Sequence, residues 1–324
     1  MKRILIFPFL LVLMLSCKTE VKNSKLLGSV FGTNYSIIYD SEIDYQKQFD
    51  SLFYVINQSM STYLEDSDIS KINRNEVAEV DAHFKNVFET SKEIYKQTQG
   101  AFDPTIGAVV NAWDFGPEGK IANLDSLKID SLMLSVGLDK VKMNGHSIEK
   151  PQGAFIDFNA IAKGYGVDVV ANFLESKDIK NYLVEIGGEI RVGGINPEKN
   201  AGWKVGVEQP HFDGTQSILK AITLKDAAMA TSGTYRKFKI DQNGNRYAHI
   251  IDTETGYPSK TNLLSISVIA KTCMVADAYA TAFKGMGLER VKSFLQTHPE
   301  LKVFLIFEND KKEFETLSLN GFPE

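Results

Sequence analysis

Residues 181–194 read NYLVEIGGEIRVGG, and this stretch decides the fold class. Two apolar runs are separated by Gly187 and Gly188, a pattern that predicts a hairpin of two strands. Just upstream, AFIDFNAIAKGYGVDVVANFLESK at 154–177 is predicted to be a strand that passes into a helix. Downstream, strand signals recur at 203–207, 217–224, 228–232, 235–240, 247–252, 264–270 and 301–308.

Helical periodicity is found toward the two ends of the chain. Apolar residues recur at helical spacing over 43–60, 82–99, 124–137, 273–285 and 288–297. A strand or hairpin at 26–40 and a strand near 139–149 flank the first three helices. Helices at both ends with many strands between them predict an α+β fold rather than a strict alternation of strands and helices.

The composition excludes several classes of protein and site. Of 324 residues, 43% are hydrophobic and 24% charged, which suffices for a folded core, and a formal charge of −5 argues against a nucleic-acid partner. The chain has no GxGxxG opening a helix, no P-loop, no GxSxG and no HExxH. Cys273 is the one cysteine beyond the N-terminal segment, so neither a zinc site nor an intramolecular disulfide is predicted.

The N-terminus predicts export. Lys2 and Arg3 precede the unbroken apolar run 4–16, which is too short to span a bilayer and is typical of a signal peptide. Cys17 follows directly, so residues 1–16 resemble a lipoprotein signal with Cys17 as the lipidated residue; a plain secretory signal is the alternative. Residues 17–25 are predicted to form a tether and 26–324 one folded domain, lipid-anchored outside the cytoplasm and facing the periplasm.

A first candidate site segment is GAFDPT, with Asp103 before Pro104. The residue before proline favours an extended backbone, which predicts Asp103 just ahead of a helix that starts at Pro104. Asp103 then either faces a ligand or caps that helix. The spacing of Ile106, Val109, Val110 and Trp113 predicts the buried face of the helix.

A second candidate lies at the predicted strand-to-helix junction. Asp157 ends the strand, Asn159 is positioned to cap the helix, and Lys163 lies one turn in, an arrangement that suits a phosphate. Gly164 and Gly166 each cost roughly 1 kcal/mol in a helix relative to alanine. They indicate close approach, either by a ligand or by another part of the chain.

Two further segments carry polar side chains. Asp277 and Thr281 are spaced i, i+4 and share one helix face, where their oxygens suit magnesium; the alternative is that Asp277 complements the start of its own helix. His249 lies in a predicted strand that ends at the turn Thr255-Gly256, and its role is either structural or catalytic.

Together these segments resemble the ApbE family of FAD:protein FMN transferases. The motifs that carry the resemblance occur in order between about residues 28 and 287: MSTYLEDSDISKIN, GAFDPTIGAVVNAWDFG, IDFNAIAKGYGVD, YLVEIGGEIRVGG, WKVGVEQP, ATSGTYRKF, HIIDTETGYP and SVIAKTCMVADAYATAFKGMG. The resemblance implies an ApbE-like (T-fold-like) α+β fold with antiparallel sheets flanked by helices. It also implies a transferase that takes FAD as substrate, uses Mg²⁺, and transfers FMN to a threonine or serine hydroxyl of an acceptor protein with release of AMP.

The resemblance also implies the roles of individual residues. The FAD site would comprise Phe31, Tyr63, Ala101, Phe102, Asp103, Asp157, Lys163 and Ile251. The metal would be held by Asp277, Thr281 and the backbone oxygen of Ala160, whereas some relatives have a further acidic side chain where this chain has Ala280. His249 would be the candidate base.

Two other functions share these motifs. Water in place of the acceptor hydroxyl would make the protein an FAD pyrophosphatase that yields FMN and AMP, and loss of turnover would leave a non-catalytic flavin-binding lipoprotein. The sequence contains no D-x-x-[ST]-G-A-T motif, which the family's acceptors carry. The acceptor is therefore predicted to be a different protein.

Overall fold

The structure is a computed structural model that describes residues 23–235, 238–240 and 246–324. The predicted signal peptide and Cys17 lie outside these residues. Within them, no helix combines the length and the apolar character that a membrane crossing requires.

The described residues form fourteen strands and eight α-helices. The strands are β1 (Ser24–Val30), β2 (Thr33–Tyr39), β3 (Lys142–Asn144), β4 (Ser147–Glu149), β5 (Tyr182–Ile186), β6 (Glu189–Gly193), β7 (Trp203–Glu208), β8 (Ile218–Leu224), β9 (Ala227–Gly233), β10 (Phe238–Ile240), β11 (Arg246–Ala248), β12 (Leu263–Ala270), β13 (Lys302–Glu308) and β14 (Phe314–Leu319). The helices are α1 (Gln46–Met60), α2 (Asp68–Asn73), α3 (Ala82–Gln97), α4 (Gly107–Ala112), α5 (Ser126–Met133), α6 (Ala162–Ser176), α7 (Cys273–Met286) and α8 (Leu288–Leu295), with a 3₁₀ helix at Leu138–Lys140.

One large antiparallel sheet organises the molecule. Its eight strands run in the order β1-β2-β5-β6-β9-β12-β13-β14, and each neighbouring pair is antiparallel. The predicted hairpin at 181–194 is β5–β6, in the middle of this order. Three two-stranded sheets, β3–β4, β7–β8 and β10–β11, complete the strand pairing.

Both faces of the large sheet are covered. In β13, Val303 and Leu305 belong to the apolar cluster formed with α3 and α7, whereas Phe304 and Ile306 pack with the β7–β8 hairpin on the other face. Side chains alternate in this way because successive residues of a strand point to opposite faces. Trp203 anchors the hairpin, since it is buried and its indole Nε1 donates to the Gly193 carbonyl at 2.9 Å.

The observed architecture agrees with the α+β prediction, but three local predictions are wrong. The segment around Phe155 forms only an isolated bridge with Ile106 rather than a strand. The helix that follows starts at Ala162, so Asn159 does not cap it. The helix after Asp103 starts at Gly107 and not at Pro104, because residues 104 and 105 form a turn. β1 begins at Ser24, so the last two residues of the predicted tether 17–25 belong to this strand.

Candidate functional site

A single cavity of about 1100 Å³ brings the predicted site residues together. It opens beside α6 and α7, between the β1–β2 turn, the loop after α1, the segment before α4 and the segment after β11. Twelve predicted residues line it: Phe31, Tyr63, Ala101, Phe102, Asp103, Asp157, Ala160, Lys163, His249, Ile251, Asp277 and Thr281. They are spread over some 250 residues of sequence, so it is the fold that makes them one site.

Aromatic rings form part of the cavity wall. Phe31 has a left-handed backbone (φ 52°) in the β1–β2 turn, and its ring meets Phe53 edge-on at 5.7 Å. Gly166 admits this ring, because a Cβ there would lie 2.7 Å from it. Tyr63 is 60% exposed at the mouth of the cavity, where its ring is accessible to a flat ligand.

Asp103 has a structural role as well as a place in the cavity wall. Its Oδ1 accepts hydrogen bonds from the Thr105 backbone N–H (2.8 Å) and hydroxyl (2.6 Å). Burial raises the pKa of Asp103, although the bonds from Thr105 oppose the shift. The carboxylate thus fixes the turn ahead of α4. Val109 of that helix is buried, and Val110 and Ile106, the residue before the helix, line the cavity, so the predicted buried face serves both the core and the site.

Lys163 forms an ion pair inside the cavity with a residue that the sequence analysis did not single out. Its Nζ lies 2.5 Å from Oε1 of Glu189, whose side chain is only 5% exposed, against 32% for Lys163. Burial alone would lower the pKa of Lys163, but the carboxylates of Asp277 and Glu189 outweigh it and raise that pKa. Burial raises the pKa of Glu189 to about 7, against the effect of Lys163. Lys163 is therefore held as a cation that faces the cavity.

The predicted oxygen ligands meet a simple test of fit for a hard cation. Oδ2 of Asp277 accepts from the Gly164 N–H at 3.0 Å. In a regular helix that N–H would bond to the Ala160 carbonyl, which is left without a hydrogen bond among the described residues. The Thr281 hydroxyl likewise makes none there. A carboxylate, a carbonyl and a hydroxyl with spare acceptor capacity are the donor set that Mg²⁺ prefers.

The protein ligands are nonetheless few. Within the described part of the chain, no three His, Cys, Asp or Glu side chains form a group that could hold a metal ion. Ala280 is fully buried in the apolar core and does not line the cavity. A cation held by Asp277, Thr281 and Ala160 would complete its shell with water and substrate oxygens, which is common for Mg²⁺.

His249 lines the cavity directly after β11, which ends at Ala248, whereas the strand predicted from the sequence extends over 247–252. Its ring lies 6.3 Å from that of Phe115, edge-on. The nearby Trp113 donates from Nε1 to the Gly256 carbonyl at 2.9 Å, which ties the end of α4 to the turn after His249. This contact helps to fix the wall on which His249 sits.

Several residues that line the cavity were not predicted from the sequence. Besides Glu189 they include Thr231, Ser232 and Gly233 of β9, and Glu208 of β7. A charged residue directly after Gly187-Gly188 was a visible signal, but its burial depends on the pairing of β6 with β9. Nothing in the local sequence indicates that pairing.

Comparisons with known proteins agree with this structure. The ApbE family model matches residues 31–305. The FAD:protein FMN transferase of Vibrio cholerae is 36% identical over 96% of each chain, and that of Haemophilus influenzae is 35% identical over 95% of this chain and 93% of the relative.

Solved structures show the same fold. The flavin transferase ApbE from Vibrio cholerae superposes with a TM-score of 0.82 at 34% identity, over 92% of this chain and 97% of that one. The Pseudomonas stutzeri flavinyl transferase ApbE gives 0.82 at 26% identity, over 92% and 94%. The predicted fold class and family resemblance are confirmed, and the chain belongs to the ApbE family of flavin transferases.

Proposed function

We propose that this protein is an FAD:protein FMN transferase that moves FMN from FAD onto a threonine or serine hydroxyl of an acceptor protein and releases AMP. The observation that carries the proposal is the cavity itself. In a chain of this family, it collects aromatic rings, a partly exposed lysine cation and a set of oxygen ligands. These are the groups needed for a flat ring system, a pyrophosphate and a divalent cation.

The proposed reaction is a phosphoryl-type transfer. The acceptor oxygen forms a bond to the phosphorus of the FMN half, and the bond from that phosphorus to the bridging oxygen breaks. AMP leaves with the electron pair of that bond, and the hydroxyl proton passes to a base. His249 is the candidate base, because its imidazole lines the cavity and an imidazole nitrogen can accept a proton from a hydroxyl.

Positive charge in the cavity serves the pyrophosphate. Lys163 lies in the first turn of α6, where the helix dipole adds positive potential. Its ammonium is held as a cation by Glu189 and Asp277 and remains partly open to the cavity. We therefore assign Lys163 to a phosphate oxygen. In such transfers, positioning and charge neutralisation supply most of the catalysis.

Asp277, Thr281 and the Ala160 carbonyl are the residues we assign to Mg²⁺. The ion would neutralise charge on the phosphate oxygens when bound. The chain itself holds the Asp277 carboxylate in place, because the Gly164 N–H donates a hydrogen bond to it. Phe31 and Tyr63 present faces on which the isoalloxazine or adenine ring can pack.

We further propose that the protein works outside the cytoplasm, lipid-anchored through Cys17 and facing the periplasm. The support is the N-terminal sequence: a basic start, a 13-residue apolar run and an adjacent cysteine. Mass spectrometry of the N-terminal peptide of the membrane-bound protein tests it. A diacylglyceryl group on Cys17 supports the anchor, and an unmodified or uncleaved N-terminus contradicts it.

The experiment that tests the function separates transfer from hydrolysis. The purified protein is incubated with FAD, Mg²⁺ and a candidate acceptor domain, and protein-bound flavin is followed by in-gel fluorescence. Flavin that remains on the denatured acceptor supports transfer. Release of FMN and AMP without labelled acceptor would instead show a pyrophosphatase, and unchanged FAD would show a flavin-binding protein.

A further inference from the structure

The helices α6 and α7 begin without caps of their own. The residues preceding them, Ile161 and Thr272, contribute no side-chain hydrogen bond to the helix start, and the Thr272 hydroxyl is buried without a partner among the described residues. The first backbone N–H groups of a helix have no partner within it and require acceptors when buried. Each helix obtains an acceptor from the other.

Asp168, in the middle of α6, caps α7. Its Oδ1 accepts from the Cys273 N–H at 2.9 Å, and its Oδ2 from the Met274 N–H at 2.8 Å. These are the first two residues of α7. Asp168 is only 5% exposed, and Arg191 Nη1 of β6 lies 3.0 Å from its Oδ1, which holds the carboxylate in one orientation.

Asp277, in α7, accepts a hydrogen bond from the start of α6. Its Oδ2 accepts from the N–H of Gly164, the third residue of α6. The two helices approach so closely here that a Cβ on Gly164 would lie 2.4 Å from the Cys273 carbonyl oxygen and 2.8 Å from the Asp277 Cβ. The glycine at position 164 is therefore required by packing between helices, one of the two alternatives that its sequence context left open.

We infer that Asp168 is a positioning residue for the oxygen ligands of α7, an inference that rests on the proposed metal site. Asp168 fixes the start of α7 against α6, and Asp277 and Thr281 lie one and two turns further along the same helix. Because Asp277 is itself bonded to α6, its carboxylate reaches the cavity only when the two helices keep this register. Loss of the Asp168 bonds leaves two buried N–H groups unpaired and releases α7 to shift.

The inference is tested by Mn²⁺ binding to the protein without FAD, followed by electron paramagnetic resonance. Asp168→Asn keeps the shape of the side chain but loses one acceptor oxygen, and we expect the Kd for Mn²⁺ to rise about 10- to 100-fold. Asp168→Glu keeps the charge but displaces it by one methylene group; it serves where the Asn variant does not fold, and the same rise is expected.

Two controls separate positioning from general destabilisation. Arg191→Gln removes the largely buried ion pair of Asp168 but leaves the two N–H groups of α7 bonded to the carboxylate. We therefore expect lower stability, but a Kd for Mn²⁺ that changes less than about threefold because the contact to α7 is kept. Leu295→Ala, a cavity variant in α8, lowers stability away from this contact and should leave the Kd unchanged.

The outcomes are distinct. If the wild-type protein binds no Mn²⁺, or binds it equally after Asp277→Ala, the proposed metal site is wrong and the inference falls with it. If the wild-type protein binds Mn²⁺ through Asp277 and both Asp168 variants bind it as tightly, Asp168 does not position the site. An equal rise in Leu295→Ala would likewise refute the inference.

Discussion

Lys284 is a buried lysine, and its burial allows a quantitative prediction of how the stability of the protein depends on pH. It lies in the last turn of α7 with 1% of its surface exposed, and its Nζ donates to the Thr261 hydroxyl at 2.8 Å. Among the described residues no carboxylate forms an ion pair with it. Burial lowers the pKa of Lys284 from 10.5 to about 8.

The lowered pKa of Lys284 determines the sign and the size of its contribution to the free energy of unfolding. Below about pH 8 both folded and unfolded chains hold the proton, and the folded chain holds it at a cost. Between about pH 8 and 10.5 the unfolded chain binds more protons, so the contribution of Lys284 to stability rises with pH. At 1.36 kcal/mol per pKa unit, the cost near neutral pH is about 3 kcal/mol.

Lys284→Met removes that cost with a side chain of similar length. We expect the variant to be more stable than wild type near neutral pH, and its advantage to shrink by roughly 2 to 3 kcal/mol between about pH 7 and about pH 10. The assay is urea denaturation of both proteins across this range, with Lys292→Met as the control because the Lys292 side chain on α8 is partly exposed. A difference in unfolding free energy that stays constant with pH would refute the reasoning.

Three further predictions follow from other contacts. Gly164→Ala forces a methyl group against the Cys273 carbonyl, and we expect a loss of about 1 to 3 kcal/mol or more in chemical denaturation; wild-type stability would contradict the close approach. Trp203→Phe removes the Nε1 hydrogen bond to the Gly193 carbonyl and leaves part of a buried site unfilled, and it is expected to cost about 1 to 3 kcal/mol in the same assay. Lys163→Met removes the cavity cation, and titration of flavin fluorescence should show FAD affinity falling roughly tenfold or more, whereas an unchanged Kd would exclude the phosphate contact.

The elements of the fold were largely predictable because their signals are local. The hairpin at 181–194 and most helices follow from periodicity and glycine placement. The strand order could not be predicted, because β6 pairs with β9 and β9 pairs with β12 across long stretches of chain. No property of a single segment specifies such neighbours.

The site residues also divide into those with a local sequence signal and those whose position depends on distant parts of the chain. Residues carried by motifs, such as Asp277 and Lys163, line one cavity, and their roles toward a metal and FAD stay predictions. The start of α6 was predicted too early, because its third N–H bonds to a carboxylate 113 residues away rather than to a local cap. Lys284 carries no local signal of its burial, which only the packing of α7 reveals.

The most direct test of the central claim is mass spectrometry of a candidate acceptor after reaction with FAD and Mg²⁺. The proposed function predicts a phosphoester-linked FMN adduct on one threonine or serine of the acceptor. It also predicts that Asp277→Ala, although folded, yields little or none of this adduct. An acceptor that stays unmodified while FAD is consumed, or an adduct formed at the wild-type rate by Asp277→Ala, would contradict the proposed transfer or the role of its oxygen site.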